Sequence, residues 1–373
     1  TVNKADIKAV EKVLREDFLT QGKHVENFQN ALNSKFGSKY SSVVSSGTAA
    51  LHLSVMSLSL PKESKIITTP LTFVATANSI IMNNLKPELV DIDPNSFTID
   101  VNKLEDKIKR DKKIKAVIGV DYAGNVCDWE SISFLAKKYN LKLINDNCHA
   151  IGTKYKGDIK YACKYADLVT QSYHPVKAIT TAEGGSVLTN NKKLYDKIQL
   201  FKNHGINRNK DLSKKHGLWF YSIQNLGYNY RLSDIQCALG TSQLKKLDFF
   251  IKKRREIAKI YDKAFSNIEG IKTPPTRKYC HHSYHLYPLQ INFNKTKINK
   301  KKFFLKLRTK KIFTQVHYIP LHYHNYYKKK FDFKKGDFKN SEDHYDKELS
   351  LPIYPLLKKK YVLKVIKNIM NNL

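Results

Sequence analysis

The 373-residue sequence has no apolar run near the roughly 18 residues that a membrane-crossing helix requires, which argues against a membrane-spanning protein. No signal peptide is visible; the chain opens on Thr1 rather than Met, so a preceding stretch is expected and targeting by it stays open. Cysteine is scarce: five residues, an odd number, with no CxxC pair. That speaks against a disulfide framework or a structural zinc site and leads us to expect a cytoplasmic protein. Arginine is scarce too, although the net charge is +33 (66 Lys plus Arg against 33 Asp plus Glu). The excess is lysine spread along the chain, with short clusters at 300–302, 328–330 and 358–360. A spread of lysines is chiefly solvated surface, suited at most to an anionic small substrate, and we expect no nucleic-acid partner. Internal repeats and polar low-complexity tracts are missing as well.

What is present is alternation. Apolar, β-rich runs at 40–46, 65–70, 87–92, 116–122, 141–146, 167–173 and 185–189 are separated by helical or loop segments. Several are nearly continuously apolar, as strands buried on both faces are. The pattern predicts an α/β fold with a mostly parallel seven-stranded sheet. The texture changes near residue 245. A helical pattern over 244–268 carries Phe249, Phe250, Ile257, Ile260, Tyr261 and Phe265 on one face. Strand-like runs at 283–292, 312–318 and 349–353 follow, then an amphipathic helix through Val362, Val365, Ile366, Ile369 and Leu373. This predicts a large domain over 1–245 and a smaller α+β domain over 246–373.

Three local features carry chemistry. Ser45-Ser46-Gly47-Thr48-Ala49-Ala50-Leu51 follows the first strand and opens a helix; free N–H groups there, with Gly47 permitting close approach, suit a phosphate, though an ordinary helix start reads the same way. Asp146 closes a buried strand just before Asn147-Cys148-His149, where α/β folds place ligand contacts, or else it caps the next helix. Asp146 and His149 lack further ligands at suitable spacing, so no metal is expected. Lys177 lies between a strand-like run and the Gly184-Gly185 pair, well placed for an amine that must meet a carbonyl. Together they supply what pyridoxal 5'-phosphate (PLP) needs: a phosphate cradle, a carboxylate for the ring nitrogen and an amine for the aldehyde.

Along essentially its whole length the sequence resembles the fold-type-I, PLP-dependent nucleotide-sugar aminotransferases of the DegT/StrS type. The matching segments include Leu19-Thr20-Gln21-Gly22, Ser46-Gly47-Thr48-Ala49-Ala50-Leu51, Thr72-Phe73-Val74-Ala75-Thr76-Ala77-Asn78, 146–150, 172–185, Gly227-Tyr228-Asn229-Tyr230-Arg231 and Gln315-Val316-His317-Tyr318. Val120-Asp121-Tyr122-Ala123-Gly124 and His174-Pro175-Val176-Lys177 with 179–185 are most similar to the branch serving pseudaminic acid synthesis. The resemblance implies a transaminase acting at C4 of a UDP-linked 4-keto sugar with glutamate as donor. A sister enzyme for another dTDP-, GDP- or UDP-linked keto sugar is the alternative. A non-catalytic anion- or nucleic-acid-binding homologue is the more distant one.

The resemblance also implies residue roles. Lys177 would bond the cofactor aldehyde and then move protons, and Asp146 would keep the ring nitrogen protonated. His149 would lie near the ring's phenolic oxygen, and Phe73 would stack on its face. Gly47, Thr48, Ala49 and Ser172 would hold the phosphate, joined by Asn229 from the partner of a homodimer. Thr20, Tyr122, His317 and Tyr318 are substrate candidates. Three departures stand out: Ala182 replaces a common Gly, Tyr173 a common Phe, and Cys148 a smaller residue.

Overall fold

The computed structural model describes residues 1–208, 210–296 and 298–373. Seven strands form the main sheet: β1 (Tyr40–Val44), β2 (Lys65–Thr68), β3 (Lys86–Leu89), β4 (Ile114–Val120), β5 (Lys142–Asp146), β6 (Leu168–Ser172) and β7 (Gly185–Thr189). Their spatial order is β1-β7-β6-β5-β4-β2-β3. Pairs β2–β3, β2–β4, β4–β5 and β5–β6 are parallel, and β7 runs antiparallel to both neighbours. All seven expected runs are strands. The first stops at Val44 because the Ser45 N–H bonds Tyr230 O and the Ser46 side chain turns to cap a helix.

The continuous apolar runs have a physical cause. Successive residues of a strand point to opposite faces, and both faces are covered. Ile67, Val117, Leu143, Val169 and Leu188 pack with Phe28 and Leu32 of the Lys23–Phe36 helix and with Trp129. Their neighbours Ile66, Ala116, Ile118, Ile144, Leu168 and Val187 pack on the other face against Leu51, Leu53 and Val55 of the Gly47–Ser57 helix.

A second, three-stranded antiparallel sheet holds β8 (Ile271–Lys272), β9 (Tyr287–Ile291) and β10 (Glu348–Leu351), in that order. Its core includes Ile257, Tyr261, Phe265, Phe303, Val362 and Ile369. The expected 244–268 helix is two helices, Asp234–Leu244 and Leu247–Phe265. The second carries Leu247, Phe250 and Ile251 into the first core and Ile257, Tyr261 and Phe265 into the smaller one. The expected strand at 312–318 does not form; only an isolated bridge joins Gln315 to Ser350. Gln315 exchanges both backbone bonds with Ser350, and the next backbone donor in register, the His317 N–H, goes instead to the Glu348 side chain, which ends the pairing.

Candidate active site

Strands β1, β4, β5 and β6 end on one side of the sheet, and the loops beyond them enclose a cavity of about 330 Å³. Ser46, Gly47, Thr48, Phe73, Thr76, Asp146, Cys148, His149, Ser172, Lys177, His317 and Tyr318 are among its lining residues. Ser46, Asp146 and Ser172, far apart in sequence, thus meet because parallel strands place their C-terminal ends together.

At one end lies an anion cradle. Ser46 caps the Gly47–Ser57 helix, its hydroxyl oxygen accepting from Ala49 N at 3.0 Å. The Gly47 and Thr48 N–H groups and the Thr48 and Ser172 hydroxyls have no hydrogen-bond partner among the described residues. A Cβ on Gly47 would sit 2.7 Å from Ser172 Cβ, so any larger residue would fill the cradle. Gly185 serves the same geometry from behind, because a Cβ there would meet Ser46 O at 2.5 Å. These free donors at a helix N-terminus suit the PLP phosphate.

At the other end stands Asp146, 5% exposed. Its Oδ2 accepts from Thr76 Oγ1 at 2.7 Å, and its Oδ1 accepts from Cys148 N at 3.2 Å. The turn after Asp146 is fixed from below by Asp121, which is fully buried. Asp121 accepts from Cys127 N, Trp129 Nε1, Asn145 Nδ2, Asn147 Nδ2 and Tyr161 Oη. Burial raises the Asp121 pKa, and the bonds from Cys127, Tyr161, Trp129 and Asn145 oppose the rise.

Lys177 lines the same cavity, near Cys148 and Asp146. Its residue is only partly buried, yet its amine is surrounded closely enough that desolvation lowers its pKa, against the pull of Cys148 and Asp146. No acid within 4 Å pairs with it among the described residues. Cys148 beneath it stays a thiol, its pKa raised by burial and the Asp146 charge.

His149 Nδ1 lies 3.3 Å from the Ala123 N–H and so accepts from it, which leaves the ring proton on Nε2, 3.0 Å from Tyr318 Oη. Burial, then the Lys177 charge, push the His149 pKa well down, so the ring is neutral. Phe73 is 53% exposed at the cavity mouth, its ring centroid 5.9 Å from that of Tyr318. His317 is held from behind: its N–H donates to Glu348 Oε2 at 3.0 Å, and its Nδ1 lies 2.8 Å from Ser350 Oγ.

Four expected site residues lie elsewhere. The Ala49 N–H is taken by Ser46, and Ala49 does not line the cavity. Tyr122 is buried behind the wall, donating to His317 O. Thr20 is exposed and bridges Ser233. Asn229 is exposed and bridges Asn203. Sequence reasoning missed Thr72, Thr76, Glu348 and Ser350. The two threonines stood in the 72–78 match, Thr72 in the turn before the Ala75–Met82 helix and Thr76 in its first turn, and nothing local marked either as facing Asp146. A glutamate heading an otherwise apolar strand run was the available sign for Glu348.

Comparison with known proteins agrees with this geometry. The chain is 46% identical over 289 residues to a Campylobacter jejuni protein named UDP-4-amino-4,6-dideoxy-N-acetyl-beta-L-altrosamine transaminase, covering 77% of this chain and 74% of that one. A solved structure of Helicobacter pylori PseC, an aminotransferase involved in the biosynthesis of pseudoaminic acid, superposes with a TM-score of 0.90 at 34% identity, covering 100% of this chain and 96% of that one. The PLP form of a putative sugar aminotransferase from Streptococcus pneumoniae, Spr1654, gives 0.89 at 26% identity, covering 98% and 95%. The DegT/DnrJ/EryC1/StrS aminotransferase model matches residues 1–370. The fold, the cavity and these matches agree: the chain is a PLP-dependent sugar aminotransferase and belongs to the DegT/DnrJ/EryC1/StrS aminotransferase family.

Proposed function

We propose that the protein transfers an amino group from glutamate to C4 of a UDP-linked 2-acetamido-2,6-dideoxy-4-keto hexose, the amination used in pseudaminic acid synthesis. The observation that carries this reading is one cavity holding a phosphate cradle, a hydrogen-bonded carboxylate and a desolvated lysine, in a chain similar to the C. jejuni and H. pylori proteins. PLP, when bound, supplies an aldehyde for the amino group and an electron-accepting ring.

The chain's own residues divide the remaining work. The Gly47 and Thr48 N–H groups and the Ser172 hydroxyl bind the phosphate. Asp146, oriented by Thr76, holds a proton on the ring nitrogen. Desolvation raises the neutral fraction of Lys177, so its Nζ would be available to bond the cofactor's aldehyde and to hold or move a proton beside it. Phe73 and His149, which line the cavity, would hold the ring by its face and its edge. His317 and Tyr318 stand where the sugar enters.

The functional unit in this reading is a homodimer. Asn229 is exposed outside the cavity, in a stretch where Leu218, Trp219 and Leu226 are 88%, 80% and 75% exposed. Such apolar exposure calls for a cover, and a second copy would bring Asn229 to the neighbouring phosphate. The test follows the absorbance of the PLP-loaded protein. Glutamate should remove the band of the lysine-bound cofactor, and the UDP-linked 4-keto sugar should restore it. Restoration only by a different nucleotide keto sugar would move the assignment to a sister enzyme, and absence of the band would overturn it.

A further inference from the structure

Glu348 heads β10, is fully buried, and has both carboxyl oxygens engaged toward the active site. Oε2 accepts the His317 N–H at 3.0 Å, and Oε1 lies 2.5 Å from Ser350 Oγ. Ser350 Oγ lies in turn 2.8 Å from His317 Nδ1. His317 lines the cavity, so a continuous path joins a buried acid to a ring facing the ligand. We infer that Glu348, acting through Ser350, sets which ring nitrogen of His317 carries the proton. It thereby decides whether His317 presents a donor or an acceptor to the bound sugar.

The argument counts protons. Ser350 has one hydroxyl proton and two neighbours. When Glu348 is ionised it can only accept, so the Ser350 proton points to Oε1 and the Ser350 oxygen accepts from His317 Nδ1–H. Nε2 is then a bare lone pair. When Oε1 carries a proton, that proton goes to Ser350 Oγ, the Ser350 proton turns to Nδ1, and the ring proton sits on Nε2. Passing from the first state to the second takes up one proton: it enters at Nε2 from the cavity, while the Nδ1 proton passes to Ser350 and the Ser350 proton to Glu348. Nothing is oxidised or reduced. Glu348 and Ser350 are positioning residues, and His317 is the group in contact with ligand.

The surroundings make this path responsive. Burial raises the Glu348 pKa to about 8, opposed by Ser350, the His317 N–H and Lys300. Lys300, from the Lys300–Thr309 helix, has its own pKa lowered by burial and donates to Tyr345 O. Gln290 pairs with Glu348 across β9, and Asp346 acts on Lys300. From the 339–347 helix His344 packs against Gln290 Nε2 at 3.2 Å, neutral with its pKa pushed to about 3. Tyr122 and Tyr318 lie within its field, both with raised pKa values. His317 itself is held down to about 4 by burial and by Lys177, so its ring is neutral and a tautomer is well defined.

The tautomer assignment rests on this geometry alone; only its use on a sugar rests on the proposed reaction. The test uses the PLP-loaded protein with 15N-labelled histidine, with His317 assigned by loss of its signal in His317→Gln. Long-range proton–nitrogen spectra should show Nε2–H below about pH 7 and a shift toward Nδ1–H as the pH rises past about 8. Glu348→Gln mimics the protonated acid: its amide oxygen accepts the His317 N–H, and its amide nitrogen donates to Ser350. His317 should therefore stay Nε2–H at every pH. Ser350→Ala cuts the path, and the pH-linked change should vanish; this variant decides the matter if Glu348→Gln does not fold. One unchanging tautomer across this range in the native protein, or persistence of the switch in Ser350→Ala, would overturn the inference. Either result leaves the transaminase reading standing, because loss of glutamate-driven absorbance change is what would end that.

Discussion

Thr76 Oγ1 donates to Asp146 Oδ2 across 2.7 Å, and this one bond fixes the direction of a second. Thr76 has a single hydroxyl proton, so the 2.8 Å contact with Thr72 Oγ1 must run from Thr72 to Thr76. The carboxylate is thus held by a two-hydroxyl chain from the Thr72 turn, with the Cys148 N–H on its other oxygen.

Thr76→Val keeps the shape and removes the donor. A charge-assisted hydrogen bond of this kind is worth about 1.5–3 kcal/mol, so PLP affinity should fall by about tenfold or more. Titrating the apoprotein with PLP by fluorescence checks this, and unchanged affinity would mean that Asp146 does not need Thr76.

Lys177→Ala should abolish turnover and covalent trapping of PLP by borohydride. Thermal stability should not fall. The folded pKa of Lys177 is lowered, so below its ordinary value the ammonium destabilises the fold, and its removal relieves that cost. A large drop in melting temperature would show that Lys177 supports the structure.

Asn229→Ala and Lys177→Ala should each lose activity alone yet complement each other when mixed. One protomer of the mixed dimer then keeps its own Lys177 and receives an intact Asn229 from its partner. Failure of refolded mixtures to recover activity would remove Asn229 from the shared site.

Acid should destabilise the protein through its buried neutral histidines. His282 and His344 are each 1% exposed, with pKa values pushed down to about 3 by burial. The unfolded chain takes up protons on both below pH 6.5, while the folded chain does not. Their contribution is fully present above pH 6.5 and is lost as pH falls toward 3, at about 1.4 kcal/mol per histidine per pH unit. Urea denaturation at about pH 7.5 and about pH 5.5 measures the loss, and His344→Asn should make the slope shallower.

The seven strands of the main sheet and the cofactor residues beside them were readable from the order of residues. Doubly covered strands are apolar along their length, and parallel βα units set each strand's C-terminal end directly before its loop. Asp146 and Ser172 were therefore visible at the ends of buried runs, and Lys177 in the loop after one. The 46–51 helix start was visible from its Ser-Gly-Thr composition, although only the fold shows Ala49 turned away, because Ser46 caps its N–H.

The smaller half was less legible. The 312–318 run has strand-like residues, yet it pairs with β10 only at Gln315 and Ser350, after which His317 bonds the side chains of Glu348 and Ser350. The break at 245–246 leaves no Pro or Gly in the sequence, because two packing surfaces, not local propensity, separate those helices. Amino-acid order determined which chemistry the chain carries, since side-chain type is local. Tertiary structure alone decided that Thr76 faces Asp146, that Asn229 leaves the cavity of its own chain, and that Glu348 reaches His317 through Ser350. Each of those depends on the directions of residues far apart in sequence, which only packing fixes.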